Sequence, residues 1–109
     1  MGIIDYWDLD KYQEWTQTTA IYPVDIGLYY CGLGLAGEAG EVAEKIKKKA
    51  RDGVLDVDAL RLELGDVLYY LARIATETGI RFSDVAFANI EKLEGRKERG
   101  TLQGSGDDR

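Results

Sequence analysis

Histidine is absent from this 109-residue sequence, and cysteine and proline each occur only once. The lack of histidine excludes Ser-His-Asp and Cys-His catalysis, the histidine-containing di-iron sites of helical bundles and most zinc sites. A metal ion bound here must therefore accept an all-oxygen ligand shell, which favours Mg²⁺ or Mn²⁺. The single cysteine, Cys31, excludes an internal disulfide. It falls among apolar residues, so we expect it in the core of a protein from a reducing, cytoplasmic compartment.

Long hydrophobic runs and an excess of positive charge are also missing. No apolar stretch approaches the roughly 18 residues of a membrane span, and the acidic start of the sequence lacks the basic region of a signal peptide. We therefore expect no membrane partner. The net charge of −6 disfavours nucleic acid as a partner. Basic residues nonetheless cluster over 45–51 and 92–99, where they either support helix C-termini or bind phosphate.

Two short acidic motifs stand out against this background. Glu38 and Glu41 form one pair and Glu63 and Asp66 form another, each spaced three residues apart within a helical apolar pattern. Residues at this spacing lie on the same face of a helix. Four carboxylates gathered in one place would repel each other unless an oxygen-binding divalent cation lay between them. The two motifs therefore predict a magnesium site.

The rest of the pattern predicts an all-α fold of four helices. Asp8 is the expected N-cap of the first helix, and Gly53 is the expected left-handed C-cap of the second. No strand-like alternation or hairpin motif competes with this interpretation. Residues 1–99 are predicted to form one domain, and the Gly-rich polar segment 100–109 a mobile or lid-like tail. The helices are expected from about Leu9 to Ile21, from about Gly27 to Arg51, from just after Asp56 or Asp58 to Thr78-Gly79, and from just after Ser83 towards Gly100.

The second and third predicted helices share one design, in which an acidic edge borders an apolar arc. Packed antiparallel, the two helices would share a core and bring their acidic edges into one cleft. Gly37, Gly40 and Gly65 leave room beside the acids for a ligand or another backbone. The arcs expected to face the core comprise Leu28, Cys31, Leu35, Ala39, Val42, Ile46 and Ala50 in the second helix, and Leu60, Leu64, Val67, Leu68, Leu71 and Ile74 in the third.

Two other interpretations compete for these segments. Acids three residues apart also occur on ordinary solvent-exposed helix faces, although two pairs in matched register are uncommon there. Residues 32–37 match the GxGxxG motif of dinucleotide sites and follow the strand-like residues 26–30. The chain offers no further strands for the parallel sheet that a dinucleotide site requires, so we disfavour this second interpretation.

The acidic motifs and their separation resemble those of a known family. An ExxE motif, 21 intervening residues and an ExxD motif are typical of the MazG-like branch of the all-α nucleoside triphosphate pyrophosphohydrolases. The resemblance implies a four-helix-bundle-like domain of the MazG type that assembles as a dimer or a dimer of dimers. The tail 96–109 is similar to that of small single-domain members, often from phages. The other segments that carry the resemblance are 12–13, 19–23, 34–45, 63–69 and 89–93.

The resemblance also implies a reaction and a ligand set. Family members hydrolyse (deoxy)nucleoside triphosphates between the α- and β-phosphates, which releases the nucleoside monophosphate and pyrophosphate. Carried over by position, the metal ligands would be the four acids of the two motifs, holding Mg²⁺ with Mn²⁺ able to substitute. The metal would neutralise the triphosphate and lower the pKa of a bound water. Glu41, with Glu38 beside it, is our candidate for the catalytic carboxylate that orients or deprotonates this water.

Basic residues are the candidates for phosphate contacts. Lys45 lies on the acidic edge of the second predicted helix, from which it would reach a phosphate oxygen. Lys92 and Arg96, one turn apart on the fourth predicted helix, are candidates for the pyrophosphate group. The tail is a candidate lid over bound nucleotide, with Arg99 or Arg109 touching phosphate.

Four further residues are candidates for the nucleoside. The resemblance places the ring of Tyr70 near the nucleoside and Asn89 near the sugar or a phosphate. Trp15 offers a ring that stacks on a base, with a core or interface position as the alternative, and Gln13 offers hydrogen bonds to a base edge.

Three hypotheses of different classes follow from these observations. The first is a Mg²⁺-dependent nucleotide pyrophosphohydrolase that adjusts or sanitises the nucleotide pool. The second is a helical nucleotide- or metal-binding regulatory module that has lost turnover. The third is a purely structural bundle with solvated carboxylates. In each case we expect at least a homodimer, because four short helices bury little apolar surface on their own.

Overall fold

The computed structural model describes residues 8–109, and residues 1–7 of the predicted domain lie outside this range. The described part of the chain is all-α, as the sequence predicts, and contains no strand. Two short 3-10 turns, Gln17–Thr19 and Val24–Ile26, connect the first two α-helices. The four α-helices are α1 (Leu9–Thr16), α2 (Gly27–Asp52), α3 (Val57–Glu77) and α4 (Phe82–Arg99).

Two carboxylates and one glycine set three of the helix ends. The side chain of Asp8 accepts hydrogen bonds from two backbone N–H groups of the first turn, at 2.8 and 3.3 Å, which confirms it as the N-cap of α1. Gly53 has a φ of 80° and ends α2 as predicted. Of the two candidates for the start of α3, Asp56 rather than Asp58 is the N-cap, since its side chain accepts a backbone N–H at 3.0 Å.

The first helix is shorter than predicted. Its α-helical part ends at Thr16 and is followed by a 3-10 turn, so the expected end at Ile21 is wrong. The hydroxyl groups of Thr16, Thr18 and Thr19 each donate a hydrogen bond to the carbonyl three residues earlier, at 2.6, 2.8 and 3.2 Å. These hydroxyls compete with the backbone for its acceptors, which weakens the helix before Pro23 is reached.

The fourth helix starts slightly earlier than predicted, at Phe82 rather than after Ser83. Its first N–H groups are satisfied by side chains of α1. The Gln13 side-chain oxygen accepts the Phe82 N–H at 2.8 Å, and the Asp10 carboxylate accepts the Ser83 N–H at 2.8 Å. The start of α4 is therefore set by the docking of α1.

Helices α2 and α3 form the most extensive pairing, while α1 packs against both α3 and α4. A small core of Ala72, Ala75 and Phe82 is joined by the partly buried Leu9 and Tyr12. Cys31 is completely buried, as expected for a core cysteine.

Much of the predicted core-facing surface is exposed in the protomer. Leu28, Ile46 and Leu64, which were expected to face the core, are 45%, 53% and 51% exposed. Phe87 and Ile90 on α4 are exposed as well. The radius of gyration is 16.6 Å, against about 13 Å for a compact chain of this length. Although many apolar side chains are exposed, none of the helices in the described residues is long and apolar enough to cross a membrane.

Candidate metal and nucleotide site

Three of the four predicted acids come together where α2 meets α3. One carboxylate oxygen from each of Glu38, Glu63 and Asp66 lies within 4.8 Å of the others. Two oxygens on opposite sides of one Mg²⁺ lie about 4.2 Å apart, given Mg–O bonds of about 2.1 Å. A small movement of these side chains therefore suffices for all three to ligate one ion.

In the described part of the chain, no positive side chain neutralises this cluster. Between residues 8 and 109, no lysine or arginine forms an ion pair with Glu38, Glu41, Glu63 or Asp66. Burial raises the pKa of Glu38 above its usual range, and the charges of Asp66, Glu63 and Glu41 raise it further. Glu41 is exposed and lies outside the trio, but close enough for its charge to affect Glu38. The donor set is all oxygen and lacks a counter-charge, so it fits a hard divalent cation.

A cleft of about 370 Å³ lies against the acids. Tyr70, a predicted nucleoside contact, lies in its wall, and this size is within the range of small-molecule sites. The walls combine two carboxylates with four tyrosines, one threonine and one isoleucine. The residues that line the cleft are Thr19, Ile21, Tyr22, Tyr30, Glu38, Asp66, Tyr69 and Tyr70.

The position of the Tyr70 ring depends on a glycine in the facing helix. A Cβ atom at Gly34 would lie 2.5 Å from Cζ of Tyr70, so the ring crosses α2 only because this residue has no side chain. Tyr69 packs edge-on against the ring, with 5.2 Å between the centroids. Burial raises the pKa of the Tyr70 hydroxyl, with smaller contributions from Tyr30 and Glu38.

Tyr22 and Tyr30 of the cleft wall belong to a partly buried network that the sequence did not reveal. Arg73 is 3% exposed, and its guanidinium donates to the hydroxyl oxygens of Tyr22 at 3.0 Å and Thr16 at 3.3 Å. The Tyr22 hydroxyl donates to Glu77 at 2.8 Å, and its ring stacks on Tyr30 with centroids 5.1 Å apart. Burial raises the pKa of Tyr22. The sequence did contain one indication of where Arg73 lies. It follows Asp66 by seven residues and is therefore on the same face of α3.

The predicted phosphate contacts do not line this cleft in the protomer. Lys45 is partly buried and absent from the cleft wall. Lys92 and Asn89 line a different cleft of about 530 Å³, together with Ile80, Asp84, Val85 and Ala88. Arg96 is buried, and its guanidinium donates to backbone carbonyls of the tail.

Trp15 and Gln13 are also absent from the walls of the cleft beside the acids. Trp15 is 41% exposed and stacks on Tyr12, with ring centroids 6.2 Å apart. The amide nitrogen of Gln13 donates to Thr76 and to the Ile80 carbonyl, and its oxygen accepts the N–H at the start of α4. Thr76 lies ten residues beyond Asp66, about 15 Å along α3. The amide of Gln13 is thus occupied by contacts within the fold, and a nucleoside role for either residue stays a prediction.

Comparison with known proteins adds the decisive observation. The model of the family described as "MazG nucleotide pyrophosphohydrolase domain" matches residues 31–101, about two thirds of the chain. The chain belongs to the MazG family. The Gene 37 protein of Mycobacterium phage L5 is 44% identical to this MazG chain over 113 residues, which cover 93% of this chain and 98% of the phage protein. No solved structure matches.

The MazG match includes every helix that carries an acid of the cluster. Residues 31–101 span all four predicted metal ligands and α4. MazG proteins act on nucleotides and generally depend on a divalent metal. The competing dinucleotide interpretation of residues 32–37 is wrong, because these residues lie inside α2 and no strand precedes them in the described part of the chain.

Proposed function

We propose that this MazG domain hydrolyses (deoxy)nucleoside triphosphates between the α- and β-phosphates, giving the monophosphate and pyrophosphate in a Mg²⁺-dependent reaction. The observation that carries the proposal is the trio of Glu38, Glu63 and Asp66, which has no counter-charge among the described residues and lies beside a cleft lined with tyrosines. Unneutralised carboxylates destabilise a fold, so their retention at one point is explained best by a ligand that neutralises them.

The acids of the two motifs would have two roles in this reaction, metal binding and activation of water. Glu38, Glu63, Asp66 and the nearby Glu41 would hold Mg²⁺, or Mn²⁺ in its place. A bound divalent ion supplies charge neutralisation and lowers the pKa of a ligated water. Glu41 is exposed beside the trio, so it is the carboxylate best placed to orient the attacking water or take its proton, with Glu38 next to it.

The nucleoside would lie in the tyrosine-lined cleft. Tyr70 offers its ring next to Glu38, and the Tyr22–Tyr30 stack offers a second aromatic surface on the same cleft. The cleft volume of about 370 Å³ accommodates a nucleoside. Trp15 and Gln13 have no part in this arrangement within one protomer.

A second copy of the chain would complete the site. Lys92 and Asn89 line a cleft on α4 that contains none of Glu38, Glu63 and Asp66. Within one copy of the chain they are therefore separate from the tyrosine-lined cleft. The exposed apolar side chains Phe87 and Ile90 on α4 give a surface for association. We therefore propose a homo-oligomer, at least a dimer, with Lys45, Lys92 and Arg96 as phosphate contacts. Its partners would be nucleotides, without nucleic acid or membrane, in the cytoplasm.

Pyrophosphate release is the test of this proposal. A panel of natural and damaged NTPs and dNTPs is incubated with the protein and Mg²⁺, and pyrophosphate is measured for each. We expect release from at least one nucleotide, abolished by chelation of the metal. Binding of nucleotide and metal without any release would instead support the catalytically silent module. A protein that binds neither nucleotide nor metal would support the purely structural bundle.

A further inference from the structure

The segment after α4 forms a closed loop around one arginine side chain. The guanidinium of Arg109 donates to the carbonyls of Thr101 and Leu102 at 2.9 and 3.2 Å and to that of Gly106 at 2.6 Å. Gly104 and Gly106 have φ values of 137° and 88°, which side-chain-bearing residues rarely adopt. Residues 100–109 therefore fold back on themselves, next to the last turns of α4.

This loop covers a second arginine, whose hydrogen-bonding capacity is only partly used. Arg96 is 4% exposed, and Nη2 donates to the carbonyls of Asp107 at 3.2 Å and Gly106 at 3.4 Å. Its Nε is buried and has no hydrogen-bond partner in the described residues. A buried charged donor without a partner is costly, so the loop satisfies this guanidinium incompletely.

The carboxylate of Asp107 lies between two positive side chains. Its Oδ1 atom is 3.7 Å from Nη2 of Arg96 and 3.8 Å from Nζ of Lys92, and the side chain is 93% exposed. Charge-assisted hydrogen bonds are about 1 Å shorter than either distance, and the pair with Lys92 is an exposed ion pair, which contributes little stability. Lys92 and Arg96 are therefore paired only weakly with Asp107, a carboxylate of the same chain.

We infer that Lys92 and Arg96 form an anion-exchange site, in which the Asp107 carboxylate is a tethered competitor of a phosphate group. A phosphate offers three acceptor oxygens and more charge than a carboxylate, so it would satisfy the unpartnered Nε of Arg96 as well as Nη2 and the Lys92 ammonium. Displacement of the Asp107 carboxylate would free the Lys92 ammonium, and the Arg96 guanidinium would be uncovered once the carbonyls of Gly106 and Asp107 also leave Nη2. The loop thus acts as a lid that is closed mainly by hydrogen bonds from Arg96 and Arg109 to its carbonyls, with the Asp107 carboxylate in the place that a phosphate would take.

The ligand class that fits this site is a phosphate or pyrophosphate group. The assignment of that group to the product of hydrolysis rests on the proposed function, whereas the exchange itself does not. The test therefore uses inorganic pyrophosphate as the probe, without nucleotide and without metal.

Calorimetric titration of pyrophosphate into the full chain tests the exchange. We expect Asp107→Asn to bind pyrophosphate severalfold more tightly than the unaltered protein, because the competing charge is gone. Asp108→Asn is the matched control, since it removes the same charge from the neighbouring residue, which forms no ion pair in the described part of the chain. The double variant Asp107→Asn with Lys92→Gln should lose the gain.

Equal affinities of Asp107→Asn and Asp108→Asn for pyrophosphate would overturn the inference. So would an Asp107→Asn variant that melts at a lower temperature but binds pyrophosphate no better, since that result describes a purely structural loop. A tighter Asp107→Asn variant in a protein that releases no pyrophosphate from any nucleotide would uphold the exchange and contradict the proposed function alone.

Discussion

Two carboxylates in this chain, Asp10 and Glu38, have opposite surroundings. Asp10 accepts hydrogen bonds from the backbone N–H and hydroxyl of Ser83 at 2.8 and 2.7 Å and pairs with Arg81 at 3.2 Å. The Ser83 N–H is the main reason that the pKa of Asp10 is lowered. Glu38 has no positive partner in the described residues, and burial with neighbouring acids raises its pKa.

The contrast separates Asp10, which stabilises the fold, from the acids around Glu38, which we propose bind a cation. Asp10 joins α1 to the start of α4, so its charge is useful in the protein alone. Neighbouring acids and burial oppose the charged form of Glu38 in the protein alone, and we propose that the cluster becomes favourable once a cation is bound. Changes to the two regions should therefore have opposite effects on stability and very different effects on activity.

The largest expected effect is on turnover, at the acid cluster. We expect Glu63→Gln to lower the rate of pyrophosphate release by more than about 100-fold, since even residues that only support metal ligands cost 10–100-fold when removed. Glu44→Gln is the matched control on α2, because Glu44 pairs with Lys47 at 3.4 Å and lies outside the cluster. Equal rates for the two variants, measured as steady-state pyrophosphate release, would contradict the assignment.

The next effect is on stability, at the α1–α4 corner. Asp10→Ala removes the acceptor for the backbone N–H and the hydroxyl of Ser83 in the first turn of α4, so we expect the melting temperature to fall by several degrees. Asp25→Asn serves as a control, because Asp25 lies in an exposed 3-10 turn. Thermal melts followed by circular dichroism make the comparison. An unchanged melting temperature for Asp10→Ala would show that the corner does not depend on this acid.

The pH dependence of stability should have opposite signs in the two regions. The pKa of Glu38 is raised in the folded, metal-free protein, so the folded state binds a proton at Glu38 more tightly than the unfolded state does. Glu38 therefore contributes stability at low pH, and this contribution is lost as pH rises from the ordinary pKa of glutamic acid through the Glu38 pKa. The lowered pKa of Asp10 gives a contribution that is present above the ordinary value for aspartic acid and is lost as pH falls through the Asp10 pKa.

Metal-free melts of Glu38→Gln and Asp10→Asn from about pH 3 to pH 7 separate these contributions. We expect Glu38→Gln to be stabilised relative to the unaltered protein near neutral pH, with the difference shrinking in acid. Asp10→Asn should be destabilised near neutral pH and approach the unaltered protein in acid. Curves that shift in the same direction for both variants would remove the basis of the comparison.

The smallest expected effect is on stability and KM, at the glycines of α2 that face the Tyr70 ring or lie near it. Gly32→Ala should stabilise α2 by up to about 1 kcal/mol, because a Cβ there meets nothing and alanine favours the helix. Gly34→Ala should lack this gain and raise KM for the nucleotide severalfold, since its Cβ displaces Tyr70. Equal stabilisation by both substitutions with an unchanged KM would show that the position of Tyr70 is unimportant.

The sequence predicts the local features of this molecule better than the distant ones. The acidic edges follow from helical periodicity, and the structure brings Glu38, Glu63 and Asp66 together. The helical projection treats Glu41 and Asp66 alike, yet only Asp66 joins the trio. A projection contains neither the axial register of α2 against α3 nor their crossing angle, and these decide which acids meet.

Tertiary docking explains the remaining differences. Gln13 looks like a free polar side chain in the sequence, but α1 docks where α3 turns into α4 and uses its whole amide. Arg73 is a charged residue whose burial depends on the hydroxyls of Tyr22 and Thr16, which come from another part of the chain. The early end of α1 had a readable local cause in the hydroxyl groups around Thr16.

Direct measurement of Mn²⁺ binding tests the central claim most closely, because electron paramagnetic resonance counts the free ion without any need for turnover. We expect the unaltered protein and Glu44→Gln to bind Mn²⁺ alike, with Mg²⁺ competing, while Glu38→Gln, Glu63→Gln and Asp66→Asn each lose most of the affinity. Mn²⁺ binding that is absent, or that survives all three substitutions, would contradict a metal site shared by α2 and α3.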